Sequence, residues 1–272
     1  MRKYLTNQQV SLFKKNGCIS PLNMMTNVEA NEFRKRFEYA EESRGGKLKG
    51  MQLHKSYLFL TFLNEIARYP KILDAVEDLI GPDILVFSSS LFIKEPKNEQ
   101  FISWHQDSTY WHFDPPEILT CWVALTPCHQ ANGCMKIAIG SHLWGQVDHD
   151  ERSEENNMLS RNQEISSKLI DKVPTQDIIL QPGQVSLHHL FSAHTSGSNY
   201  SNDRRIGFAI RYMATSVRQK AGPKLTAMLV RGVDNYGYYE PENGPSIDFD
   251  PAGLSFHKET VERHRSTNYS TM

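Results

Sequence analysis

From residue 84 onward the chain is cut into short β-prone runs, and no other feature narrows the available folds as much. The runs are 84–94 (ILVFSSSLFIK), 119–125 (LTCWVAL), 135–139 (MKIAI), a segment from 177 to 190 that passes through a Pro182-Gly183 turn, and 205–215 (RIGFAIRYMAT). Short strands parted by turns predict a sandwich or barrel rather than alternating βαβ units. Residues 6–15, 28–42 and 66–80 instead carry helical patterns, with Thr6 as an N-cap and Gly81-Pro82 as a stop. The expectation is a mainly β protein with flanking helices, in a single domain spanning 1–272: helices over about 1–82, a β core over about 83–215, and an extension over about 216–272. Residues 149–162 and the tail after about 236 are long and polar, the kind of segment that covers a site.

Composition removes several function classes. With 272 residues and a formal net charge of -1, the chain has no field to recruit nucleic acid or an anionic membrane. Its four cysteines lack CxxC spacing and are too few to staple a chain of this length, so they read as reduced thiols. Neither a leader-like apolar stretch nor a run of 18 apolar residues is present. A cytoplasmic protein acting on a small molecule is therefore expected.

The run Ile102-Ser103-Trp104-His105-Gln106-Asp107 ends an apolar segment by setting an imidazole and a carboxylate two residues apart. On an extended strand these two side chains share a face, and Gln106 points away. Two imidazoles and one carboxylate form the facial triad of non-haem Fe(II) oxygenases, and His194 is the candidate second imidazole. His188 and His189 are its rivals, one of which must face the interior. On spacing alone a hydrogen-bonded strand-end pair is the commoner explanation of His105 and Asp107, and the surroundings are what favour a metal. A second such spacing, His112-Phe113-Asp114, precedes two prolines in what reads as an irregular loop, and is taken as accidental.

An oxygenase of this kind would bind 2-oxoglutarate to iron through its keto-acid end, leaving the far carboxylate to the protein. A planar guanidinium suits that carboxylate. Arg204 and Arg205 follow His194 at the start of the last run. With Arg205 inward, Gly207, Ala209 and Arg211 share its face, and the small residues would leave room for the cosubstrate. Ile206, Phe208, Ile210 and Tyr212 then form an apolar face suited to packing on helices.

These residues resemble a known family. Trp104-His105-Gln106-Asp107, Cys121-Trp122-Val123-Ala124-Leu125, Asn132-Gly133-Cys134-Met135, Gly140-Ser141-His142, His194 through Asn199, and Asp203-Arg204-Arg205-Ile206-Gly207 are similar in order and spacing to the phytanoyl-CoA dioxygenase family of Fe(II)/2-oxoglutarate oxygenases. The opening Leu5-Thr6-Asn7-Gln8-Gln9-Val10 with Phe13 and Asn16-Gly17 resembles that family's N-terminal helix, so the likeness spans roughly residues 5–215. It implies a double-stranded β-helix (jelly roll), iron ligands at His105, Asp107 and His194, and Arg205 rather than Arg204 for 2-oxoglutarate. It also suggests Lys94, Gln106, Trp122 and Ser196 as further cosubstrate contacts.

In that family the halogenating members carry a small residue where this chain has Asp107. A complete triad leaves three positions on iron, two for 2-oxoglutarate and one for O2, and none for halide, so hydroxylation or a related oxidation is implied. Tyr110, Trp111 and His112 should sit at the mouth, where aromatics can pack on a substrate. Arg211 would face inward and want a structural carboxylate or an anionic substrate. The preferred substrate is a small polar metabolite with an acidic group, such as an amino acid or aminophosphonate, over an acyl-CoA. The competing possibilities are a cupin-like metal-dependent hydrolase or isomerase that needs no O2, and a non-catalytic binding module.

Overall fold

The structure, a computed structural model, describes residues 2–269 except 111, 112, 152, 153, 160 and 221. The helices form where local chemistry caps them. Asn7–Asn16 opens on a capping box in which Gln9 N donates to Thr6 Oγ1 at 3.2 Å and Thr6 N donates to Gln9 Oε1 at 2.9 Å. It closes on Gly17 in the left-handed region, φ 75°. Asn27–Ser43 repeats the device with Thr26 and Glu29. The single helix expected over 66–80 is two, Thr61–Ala67 and Pro70–Ile80. Pro70 cannot continue a preceding helix but suits a first turn. The tail, expected as a loose cover, carries a further helix, Pro251–Tyr269.

The strands form two main sheets. The larger runs in the order Cys18–Asn23, Gln184–His189, Ile118–Ala124, Arg205–Ala214, Ile84–Lys94, Thr226–Arg231 and Glu240–Pro241. The smaller runs Ile102–His105, His194–Ser196, Met135–Ala138 and Thr175–Ile178. Their facing sides share an apolar cluster that includes Trp122, Ala124 and Ala209 from one and Met135, Ile137 and Ile178 from the other. The result is the jelly roll.

Register decides which side chains reach the interior. Arg205 stands opposite Lys94, Ala209 opposite Trp122, and Arg211 opposite Thr120, so these alternate positions line the inside. Every residue of Arg205–Ala214 is buried, because both of its faces are covered. Ile206, Phe208, Ile210 and Tyr212 pack outward with Phe37, Phe62, Ile66 and Val76 of the helices, as the alternation predicts. Each such apolar side chain contributes roughly 1.5–3 kcal/mol on burial. The four cysteines are free and buried. No helix among the described residues is long and apolar enough to cross a membrane.

The second capping box supplies a pH-dependent element. Glu29 accepts from Thr26 N at 2.8 Å, Thr26 Oγ1 at 2.7 Å and Tyr69 Oη at 2.8 Å, and these bonds hold its carboxyl down at about 2 instead of 4.5. A depressed carboxyl stabilises the fold above its unfolded value and loses that contribution as pH falls through the folded one. Thr26→Ala should cost about 1 kcal/mol at neutral pH in denaturant unfolding. The part of that deficit carried by ionised Glu29 should fade between pH 4.5 and about 2. A Glu29 carboxyl titrating near 4.5 by NMR in the folded protein would contradict this.

Candidate metal and cosubstrate site

His105 ends its strand and stands directly opposite His194 in the antiparallel pairing, so both rings leave the smaller sheet at one point. Their centroids are 4.2 Å apart. Asp107 does not continue the strand as expected, because the strand stops at His105 and Asp107 opens a 3-10 turn, Asp107–Tyr110. The turn, rather than strand alternation, brings the carboxylate round to 3.8 Å from His105 Nε2. One ligand atom from each of His105, Asp107 and His194 lies within 4.8 Å of the other two, a group that could hold a metal ion.

Each ligand atom is oriented by the backbone or by a neighbour. His105 Nδ1 lies 2.9 Å from the Ser103 carbonyl and His194 Nδ1 lies 3.0 Å from the Ser192 carbonyl. A carbonyl can only accept, so each Nδ1 carries the proton and each Nε2 keeps its lone pair free. Burial, together with neighbouring His194, pushes the His105 imidazole down to about 3, which keeps it neutral. Burial alone would raise Asp107, but Arg211, His194 and His105 together hold it well below the usual carboxylate range. Thr120 Oγ1 donates to Asp107 Oδ2 at 3.0 Å and Arg211 Nε lies 3.4 Å from the same oxygen, leaving Oδ1 toward the histidines. Arg211 thus takes a structural carboxylate and also donates to Ser90 Oγ at 2.8 Å.

Two arms of a cavity leave this group. The narrow arm, with about 30 Å3 of free room, reaches Arg205 past Trp122, Met135 and Ser196. Arg205 is 1% exposed, and its Nη1 donates to the Gly133 carbonyl at 2.7 Å. Nε and Nη2 are buried without a hydrogen-bond partner among the described residues, although the Cys128 thiol, a weak acceptor, lies beside the guanidinium. A buried guanidinium with two free donors across a cleft from three metal-type ligand atoms fits Fe(II) plus a dicarboxylate. Arg204 turns the other way, pairing with Glu41 at 2.8 Å and Glu95 at 2.9 Å over the Phe37 ring.

The remaining expected contacts divide. Trp122 lines the narrow arm, with Arg205 Cζ 5.5 Å from its ring centroid. Ser196 also lines it, and its Oγ accepts from Lys94 Nζ at 2.5 Å. Lys94 lies behind Ser196, where burial and then Arg205 push its ammonium down to about 6. Gln106 is fully buried away from the cavity. Its amide donates to the Gly145 and Phe191 carbonyls at 2.8 and 2.7 Å and accepts from Val147 N at 3.0 Å, so it staples a loop. Trp111, His112 and the Tyr110 side chain lie outside the described residues. Of the second spacing, Asp114 stands apart from the metal-type group, 3.9 Å from Lys220.

Gly207 has a different role from the one expected. A Cβ there would lie 1.9 Å from Trp122 Cζ2, so the space beside Arg205 belongs to the indole, not to a cosubstrate. Gly207→Ala should displace Trp122, destabilise the protein by roughly 1–3 kcal/mol and shift tryptophan emission. An unmoved emission spectrum with unchanged stability would contradict that contact.

The wide arm, about 490 Å3, opens on the other side of Asp107. Its walls come from residues 50–55, from Met158, Leu159 and Arg161 in the polar segment expected as a cover, and from Val261, His264 and Arg265 of the C-terminal helix. That helix is held down by His257 Nε2 on the His54 carbonyl at 2.7 Å and by His264, which stacks on Phe87 and lies 3.1 Å from Lys55 Nζ. Lys55 is paired with buried Glu242, and Arg161 with Glu151. Among the lining side chains Asp107 is the one carboxylate, against Lys55, Arg161, Arg211 and Arg265. Sequence reading missed Thr120, although it shares a strand face with Trp122 and period-two alternation would have found it. The segments expected as covers, 149–162 and the tail, do supply walls of the wide arm, whereas the wall from residues 50–55 has no local pattern that announces it.

Comparison with known proteins places the chain in a family. Residues 24–207 match the family model described as phytanoyl-CoA dioxygenase (PhyH). A probable phytanoyl-CoA dioxygenase of Caenorhabditis elegans is 25% identical, over 76% of this chain and 75% of its own. A probable alpha-ketoglutarate-dependent hypophosphite dioxygenase of Stutzerimonas stutzeri is 28% identical, over 74% and 68%. Among solved structures, the apo form of the non-haem monooxygenase ThoJ superimposes with a TM-score of 0.84 at 34% identity, over 97% of this chain and 98% of that one.

Proposed function

The chain belongs to the phytanoyl-CoA dioxygenase family, and from that premise we propose that His105, Asp107 and His194 hold Fe(II), that Arg205 holds the far carboxylate of 2-oxoglutarate, and that the wide arm takes a small anionic metabolite for hydroxylation. The chain is a 2-oxoglutarate-dependent dioxygenase that uses Fe(II), 2-oxoglutarate and O2. The observation that carries the residue assignment is the buried Arg205 guanidinium, with two donors unused at the end of the arm that begins at the three ligand atoms.

Bound iron supplies O2 activation, coupled to oxidative decarboxylation of 2-oxoglutarate to succinate and CO2. The protein's own work is orientation and shielding. The Ser103 and Ser192 carbonyls fix both imidazole tautomers, and Thr120 with Arg211 fixes the Asp107 carboxylate. Ile102, Phe92, Met135 and Ala209 give the narrow arm apolar walls that exclude bulk water. The arm is tight, and the flexible Met135 thioether is the part of its wall most able to swing aside for the cosubstrate. Asp107 occupies the position where a halide would bind, which favours hydroxylation over halogenation.

The wide arm supports the choice of substrate. Its room falls within the roughly 300–1,000 Å3 usual for small-molecule sites, and of its lining cations Lys55, Arg161 and Arg211 already hold Glu242, Glu151 and Asp107, so Arg265 is the one that best suits a carboxylate or phosphorus oxyanion. The Stutzerimonas stutzeri relative is named for hypophosphite, a small oxyanion. An acyl-CoA is the second possibility, since the Caenorhabditis elegans relative is named for one. The test is anaerobic Fe(II) plus 2-oxoglutarate, which should give a weak visible charge-transfer band. A succinate assay over amino acids, aminophosphonates and acyl-CoA thioesters should follow. Stimulation by the small anions supports the substrate class, and stimulation by thioesters alone replaces it. Turnover of a substrate without O2 would sink the oxygenase reading.

A further inference from the structure

His188 is a buried side chain that nothing above employs. It is 1% exposed and lines the narrow arm, with its ring centroid 4.8 Å from that of His194. The sequence made it a rival metal ligand or simply a residue facing the interior. Neither Nδ1 nor Nε2 has a hydrogen-bond partner among the described residues. Buried polar groups are normally paired, because an unpaired one forfeits its hydration without compensation. An imidazole always has at least one N–H to donate, whichever tautomer it adopts.

Two observations limit what its partner can be. His188 stays outside the group formed by His105, Asp107 and His194, so the geometry gives it no place as a fourth ligand. It also lines the arm that ends at Arg205 and not the wide arm, so its partner occupies the cosubstrate side. The pairing explains why it is left over. His188 stands opposite Thr120, which stands opposite Arg211, making a row across the inner face of the larger sheet. Thr120 and Arg211 both serve Asp107, whereas His188 serves no group in the row.

We propose that His188 is a cosubstrate-binding residue, whose ring N–H donates to the carboxylate of 2-oxoglutarate nearer the metal group while Arg205 takes the far one. The assignment rests on the 2-oxoglutarate reading above. Two protein donors then grip the diacid from its two ends, and one of them lies beside the metal ligands without being one.

The experiment compares wild type with His188→Leu and His188→Gln in anaerobic titrations, measuring Fe(II) affinity first without and then with 2-oxoglutarate. In His188→Leu the 2-oxoglutarate Kd should rise about 10-fold, the loss of one charge-assisted hydrogen bond. The charge-transfer band should move, while Fe(II) affinity without cosubstrate holds within about 2-fold. His188→Gln, which keeps an N–H donor, should recover part of the affinity. Unchanged 2-oxoglutarate affinity in His188→Leu overturns the proposal. So does weakened Fe(II) binding before 2-oxoglutarate is added, which would make His188 a ligand. Should His188→Leu fail to fold, imidazole 15N NMR of the wild-type protein loaded with Zn(II) decides. Addition of 2-oxoglutarate should shift the His188 ring N–H, and an unmoved signal rejects the contact. Absence of any Fe(II)/2-oxoglutarate band in wild type would strike at the oxygenase reading, not at His188 in particular.

Discussion

His194→Ala and Asp107→Ala should each abolish the visible band formed by Fe(II) and 2-oxoglutarate, and with it substrate-dependent succinate formation. The reason is geometric. Three atoms within 4.8 Å of one another are the complete set that the described residues offer to an ion here. Each is already oriented, the two Nε2 atoms by backbone carbonyls and Asp107 Oδ1 by the bonds on its other oxygen. Loss of a supporting partner around a metal typically costs about 10–100-fold in affinity or activity, and loss of a ligand should exceed that. Asp107→Ala carries a second penalty, since it strips the buried Arg211 of its carboxylate at 3.4 Å. Thermal unfolding of both variants separates the two effects, because His194→Ala removes a ligand without touching the Arg211–Asp107 pair. Retention of the band in both variants would remove the triad assignment.

Arg205→Ala should raise the Kd for 2-oxoglutarate by roughly two orders of magnitude or more, the cost of losing one side of a desolvated charge pair. Fe(II) affinity without the cosubstrate should change little, because Arg205 lies at the far end of the narrow arm from the ligand atoms. Arg204→Ala is the control. Its guanidinium is spent on Glu41 and Glu95, so its loss should loosen the packing of Asn27–Ser43 on the sheet and leave cosubstrate affinity intact. Reversal of the two outcomes would mean that the arginines have been assigned to the wrong sides of the strand. Arg205→Lys should fall between wild type and alanine, since one ammonium cannot reproduce the paired donors of a guanidinium.

The difference between those two arginines was legible in the sequence because strand alternation is local. Once Ile206, Phe208, Ile210 and Tyr212 are read as one apolar face, Arg205 and Arg211 must share the other. The convergence of His105 and Asp107 was legible too, but for the wrong reason, since a 3-10 turn and not a continued strand brings the carboxylate round. Gln106 misled because its spacing says nothing about the loop around 145–147 that folds over it. Gly207 suggested free space, whereas the register with Ala124 sets the Trp122 indole there. The wide arm was legible only in part, through the covers expected over 149–162 and the tail. Residues 50–55 and the C-terminal helix meet over the metal group only through tertiary packing, and neither carries a periodicity that points to the other.

The helix Pro251–Tyr269 begins well beyond residue 207, where the match to the family ends. One wall of the wide arm, Val261, His264 and Arg265, therefore comes from beyond the matched stretch, while Phe92, Met158 and Arg161 come from within it. A different tail on the same barrel would reshape one side of that space and leave the opposite side, with Arg205 and the three clustered side chains, as it is.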